Sequence, residues 1–166
     1  MERGKSEFIQ WVHAHQGIIR SLCRAYFPNP EDQKDLFQDI VLALWKSHER
    51  FRGDAAPGTW IYRVSLNTIF SRLRHDRRRI AMQPVEVYPD VWVNAHANDD
   101  AELLGLVLQS LKPVDKALVI LYLEGYGNNE IAQILELTPT NVGTRLNRIR
   151  TDMKNRFKKS GHHELR

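Results

Sequence analysis

Apolar positions recur at three- and four-residue spacing over most of the chain, so the sequence predicts an all-α fold. Glu7 to Tyr26 reads as an amphipathic helix carrying Phe8, Val12, Ile19 and Leu22, and Pro28-Asn29-Pro30 stops it. Asn29 or Pro30 opens the next helix, with Glu31, Asp32 and Asp35 in its first turns, where the helix dipole favours anions. That helix runs to about Arg50. Leu36, Phe37, Ile40, Val41 and Leu44 form its inner side, and Asp35, Asp39, Leu42 and Lys46 form a line on the other. Leu42 on a polar line is either ordinary scattered surface leucine or part of a partner-binding face.

From Phe51 a loop containing Gly53, Pro57 and Gly58 leads to a third helix, with Thr59 as its expected N-cap. Tyr62, Leu66, Ile69 and Leu73 make its apolar stripe, and Arg63, Asn67, Phe70 and Arg74 fall on the far side. Helical periodicity then fails from Ala81 to about Asn98, where Pro84 and Pro89 among alternating valines suit an extended, flexible linker. Beyond it, Asp100 to Ser110, Val114 to Glu124 and Asn129 to Leu135 read as helices, the last with Ile131, Ala132 and Leu135 inside. Thr138-Pro139, an N-cap followed by Pro at the first helical position, starts the final helix, striped by Val142, Leu146, Ile149 and Met153. Two short helices joined by about three residues, the second basic, describe a helix-turn-helix. The expected organisation is therefore two small helical domains joined by a flexible linker: residues 1–80, a linker over 81–99, a helix-turn-helix domain over 100–160, and a tail over 161–166.

Charge sharpens this picture more by its distribution than by its net value of +4. Lys and Arg are absent between Ile80 and Leu111, and they gather in Arg63 to Arg79 and in Arg145 to Lys159. Two separated basic patches suggest two places where one polyanion is touched. The third helix and the loop before it suit opened DNA, because Phe51 and Trp60 offer flat faces for an unstacked base. Arg63, Asn67 and Arg74 add groups that bind phosphates and base edges. The competing reading is a solvated helix face ending in a solubilising Arg run.

Other chemistry is poorly represented. Cys23, the single cysteine, cannot form an internal disulfide, and no segment resembles a signal peptide or a membrane span, so a cytosolic protein is the expectation. His13 and His15 face opposite sides of a helix, and neither they with Cys23 nor the tail pair His162 and His163 make a recognised ligand set. No Walker loop or nucleophile constellation is present, and neither a metal nor a cofactor is expected.

Taken in order, DLFQDIVLALWKS, FRGD, TWIYRVSLNT, LKPVDKALVILYLEGYGNNEIAQIL and NVGTRLNRIR resemble bacterial RNA polymerase sigma factors of the extracytoplasmic-function group, within the sigma-70 superfamily. The resemblance spans Phe8 to Phe157 and rests on the joint order of its parts, since helix-turn-helix patterns alone are common. It implies an alternative sigma factor that binds core RNA polymerase, directs it to promoters and helps open the minus-ten region, without catalysis of its own. Asp35, Gln38, Asp39 and Leu42 then match the helix that docks on the polymerase. Phe51, Arg52, Gly53 and Asp54 match the loop that pockets a flipped non-template base, and Arg63 and Asn67 match the helix that positions that strand. Thr144, Arg145 and Arg148 match the helix that reads the minus-thirty-five element. Core polymerase, promoter DNA and an anti-sigma factor are the implied partners.

Three positions depart from the family pattern. Pro57 stands where an aromatic is usual, Gly143 stands where a basic residue is frequent, and Glu136 occupies a corner where a small residue or Gly is common. A left-handed conformation would cost Glu136 on the order of 1 kcal/mol. The alternative reading is a stand-alone helix-turn-helix regulator, which has no use for a base-pocketing loop.

Overall fold

The computed structural model describes residues 2–48, 51, 55–81, 105 and 107–159. It divides into two compact units, Met1–Asp99 and Asp100–Arg166. All regular structure among the described residues is helical.

The first unit packs three helices, α1 (Glu2–Tyr26), α2 (Pro30–His48) and α3 (Pro57–Ala81), each against the other two. The break between α1 and α2 is built as its residues dictate: Asn29 Oδ1 accepts the Glu31 N–H at 2.9 Å, capping α2. Ile19, Leu22, Leu36, Ile40, Leu44, Ile61, Leu66 and Ile69 are fully buried, the registers expected from helical spacing. Each such side chain contributes roughly 1.5–3 kcal/mol through removal from water. Cys23 lies in the same core, where burial pushes its thiol pKa up to about 11 and leaves it unreactive at neutral pH. Arg72 ties α3 back to α2, donating to Asp39 at 3.2 Å, with Asp32 at 3.8 Å and the Phe27 ring beneath its guanidinium at 5.4 Å.

Two expectations for α3 need correction. Thr59 is not its N-cap: the helix begins at Pro57, and the Trp60 N–H bonds to the Ala56 carbonyl. Proline at the first helical position loses no hydrogen bond there, so Pro57 and Gly58 belong to the first turn rather than to the loop. Phe70, expected on the far side with Arg63, Asn67 and Arg74, is half-buried edge-on against Tyr26, with ring centroids 6.3 Å apart.

The second unit contains a helical segment at 107–110 followed by α4 (Pro113–Leu123), α5 (Asn128–Leu135) and α6 (Pro139–Lys159). Leu118, Leu121, Ile131, Ile134 and Val142 make its core. Ile134, at 1% exposure, takes the inner place expected of Leu135, which is half-buried; in an eight-residue helix one position of phase error moves the stripe. The expected linker over 81–99 and the first part of the expected helix from Asp100 lie outside the described residues, apart from Ala81, which ends α3.

The corner between α5 and α6 is where sequence and geometry meet most directly. Thr138 Oγ1 accepts the Asn141 N–H at 3.2 Å, capping α6 as the Thr-Pro pair requires. Glu136 sits at φ 56° and ψ 42°, a left-handed conformation, and the Leu137 N–H reaches back to the Ala132 carbonyl at 2.9 Å. It is the one non-glycine residue with positive φ among those described. Replacing it with Gly should therefore stabilise this unit, by about 0.5 kcal/mol, because relief of the left-handed strain on a Cβ-bearing residue outweighs the extra freedom that glycine gives the unfolded chain. A thermal-denaturation comparison showing no gain for Glu136→Gly would mean that Glu136's side-chain interactions offset the strain.

Candidate nucleic-acid and partner interfaces

On α2 the fully buried Leu36, Ile40 and Leu44 turn Asp35, Gln38 and Leu42 outward. Leu42 is 51% exposed, and it joins Ile9 of α1 and Trp45 along an apolar groove floored by Phe8, Phe37 and Val41. Leu42 is thus not an isolated surface leucine. Trp45, 40% exposed, follows Leu42 by one turn of α2, whereas Ile9, 57% exposed on α1, could be joined to them only once the helices were packed. Asp39, also exposed, lies at the edge of this face. It leans toward α3, where its carboxylate holds Arg72.

Residues 52–54, which include Arg52, Gly53 and Asp54 of the candidate base-pocketing loop, lie outside the described residues. The two ends of that loop are described, and they meet. Phe51 stacks on Trp60 with ring centroids 4.7 Å apart and an interplanar angle of 29°. Trp60 in turn lies 5.0 Å from Trp11 of α1, and His48 at the end of α2 faces Phe8 at 5.2 Å. Offset aromatic pairs of this kind are worth roughly 0.5–1.5 kcal/mol beyond their area. Both Phe51 and Trp60 are half-buried, so part of each flat face is spent inside the protein, bracing the loop. Trp11 had no place in the sequence reading of this loop because it lies far away in the chain.

Along α3, Arg63, Asn67 and Arg74 are exposed. Asn67 also lines an open groove of mixed character between α2 and α3, with Asp39, Ser47, Ser71, Arg72 and His75 beside Ala43 and Val64. Asn67, Ser71 and His75 follow one another at four-residue intervals, so they share one side of the helix. An amide, a hydroxyl and an imidazole in a row can hydrogen-bond the edges of exposed bases, and the arginines beside them can neutralise phosphates.

On α6, Thr144 and Arg148 are exposed and Arg145 is half-buried. Arg145 Nη1 donates to Asp115 Oδ1 of α4 at 3.1 Å, and its Nε donates to Asn141 Oδ1 at 2.8 Å. Arg148 Nη2 donates to the other oxygen of Asp115 at 3.3 Å. Two residues expected to share one role thus differ in how far they are committed. Gly143 faces α5, where an added Cβ would lie 3.4 Å from the Asn128 amide. Arg145→Ala should lower the stability of this unit by roughly 1–3 kcal/mol, since it strips partners from Asp115 and Asn141. Arg148→Ala removes one partner of Asp115 from a more exposed position, so it should cost less, about 1 kcal/mol or under, and act mainly on duplex binding, costing roughly 1–3 kcal/mol on one sequence if the side chain reads a base. Thermal denaturation beside duplex titrations separates the two. Equal stability loss in both variants would contradict the asymmetry.

His13 is exposed, His15 Nδ1 is hydrogen-bonded to the Trp11 carbonyl at 2.8 Å, and Cys23 is buried. No helix among the described residues is long and apolar enough to cross a membrane.

A three-helix unit followed by a helix-turn-helix unit is a two-part helical architecture of the kind that promoter-recognition subunits use. Residues 11–79 match the family Sigma-70 region 2, and residues 101–153 match Sigma-70, region 4. The chain belongs to the sigma-70 family, in its extracytoplasmic-function group, and is an alternative sigma factor, a non-catalytic transcription initiation factor. It is 29% identical over 147 residues to the ECF RNA polymerase sigma factor SigM of Mycobacterium tuberculosis, covering 86% of this chain and 73% of that one. It is 26% identical over 171 residues to the ECF RNA polymerase sigma-E factor of Haemophilus influenzae, covering 92% of this chain and 88% of the other. The fold is similar to that of the sigma factor RpoE from Bartonella quintana, solved with the anti-sigma factor NepR, at a TM-score of 0.67 and 18% identity over 95% and 98% of the two chains. It is also similar to CnrH, solved with the cytosolic domain of CnrY, at a TM-score of 0.65 and 21% identity over 93% and 90%.

Proposed function

We propose that α2 docks this sigma factor on core RNA polymerase through Asp35, Gln38 and Leu42, with Asp39 at the edge of that surface. The loop from Phe51 through Arg52, Gly53 and Asp54 holds a flipped non-template base, and Trp60 braces it. Arg63, Asn67 and Arg74 position the opened minus-ten strand along α3. Thr144, Arg145 and Arg148 of α6 address the minus-thirty-five duplex. In domain terms, residues 1–80 bind polymerase and melt DNA, 81–99 form the linker, and 100–160 read the upstream element. The polymerase supplies the chemistry; this chain works by binding, in the cytoplasm. A cognate anti-sigma factor is proposed because the Bartonella quintana sigma factor RpoE was solved with one, NepR, and CnrH was solved with the cytosolic domain of CnrY.

The observation that carries this reading is the order of the two matched regions, the first on a unit with an exposed apolar groove beside a braced loop, the second on a unit with a basic helix-turn-helix. A duplex-binding regulator requires only the second. The test is run-off transcription from promoters selected out of a genomic library, with bacterial core polymerase alone or mixed with this chain. Transcripts that start at discrete sites only when the chain is present are expected. Sequence-specific duplex binding by the chain alone, with no effect on core, would favour the stand-alone regulator.

A further inference from the structure

Asp115 occupies the first turn of α4, on a different element from the recognition helix, and its side chain is only 9% exposed. Both of its oxygens are spent on α6: Oδ1 accepts from Arg145 at 3.1 Å and Oδ2 from Arg148 at 3.3 Å. Arg145 is held a second time by Asn141 at 2.8 Å, so its guanidinium is gripped at Nε and Nη1. A guanidinium carries five N–H donors in a rigid plane. Gripping two of them fixes the plane and leaves the remaining donors in a set direction. Arg148, with a side chain 66% exposed, keeps more of its donors for another partner.

The arrangement has two physical consequences. It orients the arginines before any ligand arrives, which lowers the entropy lost on forming a bidentate contact. It also sets one buried negative charge against two positive ones, halving the net charge that this end of α6 offers to phosphates. Non-specific affinity for duplex DNA comes from that charge, whereas sequence preference comes from donor geometry at base edges. One carboxylate therefore acts on both terms in the direction of selectivity.

We propose that Asp115 is a positioning residue for sequence reading: without touching DNA, it aims Arg145 and Arg148 and suppresses their indiscriminate attraction to phosphates. The proposal rests on the reading of α6 as the duplex-reading helix.

The experiment uses holoenzyme assembled from core polymerase and the full chain, with two duplexes: the minus-thirty-five sequence that wild type selects from a randomised library, and a scrambled version. Asp115→Asn keeps the shape and removes the charge. Selectivity between the duplexes should fall at least about fivefold, the low end of what one bidentate base contact is worth. Binding to the scrambled duplex should tighten, and the slope of log affinity against log salt should steepen by about 0.9, as expected for one more neutralised phosphate. A purely structural Asp115 would weaken both duplexes alike with the slope unchanged, and that result would overturn the proposal. If Asp115→Asn does not fold, Arg145→Lys decides: the charge stays and the doubly held fork is lost, so selectivity should fall at constant slope, and full selectivity would refute the aiming role. If wild-type holoenzyme itself selects no sequence from the library, the reading of α6 fails first and the Asp115 proposal falls with it.

Discussion

Replacing Leu42 with Arg should cut the affinity for core polymerase by roughly 30-fold or more while leaving the thermal midpoint nearly unchanged, the loss expected when an interface hot spot is removed. The two effects separate because the fully buried Leu36, Ile40 and Leu44 lie on the inner side of α2 and Leu42 on its outer side, 51% exposed. Its neighbours Ile9 and Trp45 extend an apolar surface that water covers in the isolated chain, and a guanidinium placed there would have to be buried unpaired on docking. Asp35→Arg should add to the loss by reversing a charge on the same exposed face. Asp39 is a poorer probe. Its carboxylate holds Arg72 at 3.2 Å, so Asp39→Arg would set two guanidinium groups against each other across the α2–α3 contact and mix packing with docking. Pull-down with core enzyme beside thermal denaturation decides the point. A Leu42→Arg variant that binds core normally, or that unfolds, removes α2's outer face from the docking surface.

The helical registers of the long elements could be read from spacing alone, because burial of an entire side of a helix repeats over several turns. Leu36, Ile40 and Leu44 and the run Tyr62, Leu66 and Ile69 all fall inward as their period requires. Thr138 and Glu136 were legible for a different reason: a cap and a left-handed corner are local demands of the backbone. What could not be read was where an outward-facing side chain spends its polar atoms. Arg145 looks in the sequence like Arg148, and both turn to Asp115 of α4, 30 and 33 residues away, but Arg145 is also held by Asn141 and is the more buried of the two. Phe70 likewise turns to Tyr26, and Phe51 to Trp60 and through it to Trp11, by contacts that no periodicity encodes. The start of α3 was misplaced because a Gly/Pro pair signals a loop and a helix entry equally well.

The second large effect concerns opened DNA. Flipping a base out of a duplex costs a few kcal/mol, and a forked template has already met that cost, so holoenzyme should prefer a fork with an exposed non-template minus-ten strand by roughly 10- to 100-fold. Phe51 contributes through the stack it makes on Trp60, 4.7 Å away, which fixes the first residue of the loop to the first turn of α3. Phe51→Ala removes that brace. It should reduce the fork preference several-fold and leave minus-thirty-five binding intact, since α6 belongs to the other unit. Asp54→Ala should act in the same direction if its carboxylate helps to line the base pocket.

The most direct test of the whole account is a competition between forked and closed promoter DNA at fixed salt, with wild-type and Phe51→Ala holoenzyme. The account predicts that wild type favours the fork by at least about tenfold, the equivalent of 1.4 kcal/mol, and that Phe51→Ala loses much of that margin without losing affinity for the isolated minus-thirty-five duplex. Equal affinity of wild-type holoenzyme for the two templates would contradict it, and would leave the helix-turn-helix as the chain's one DNA-reading surface.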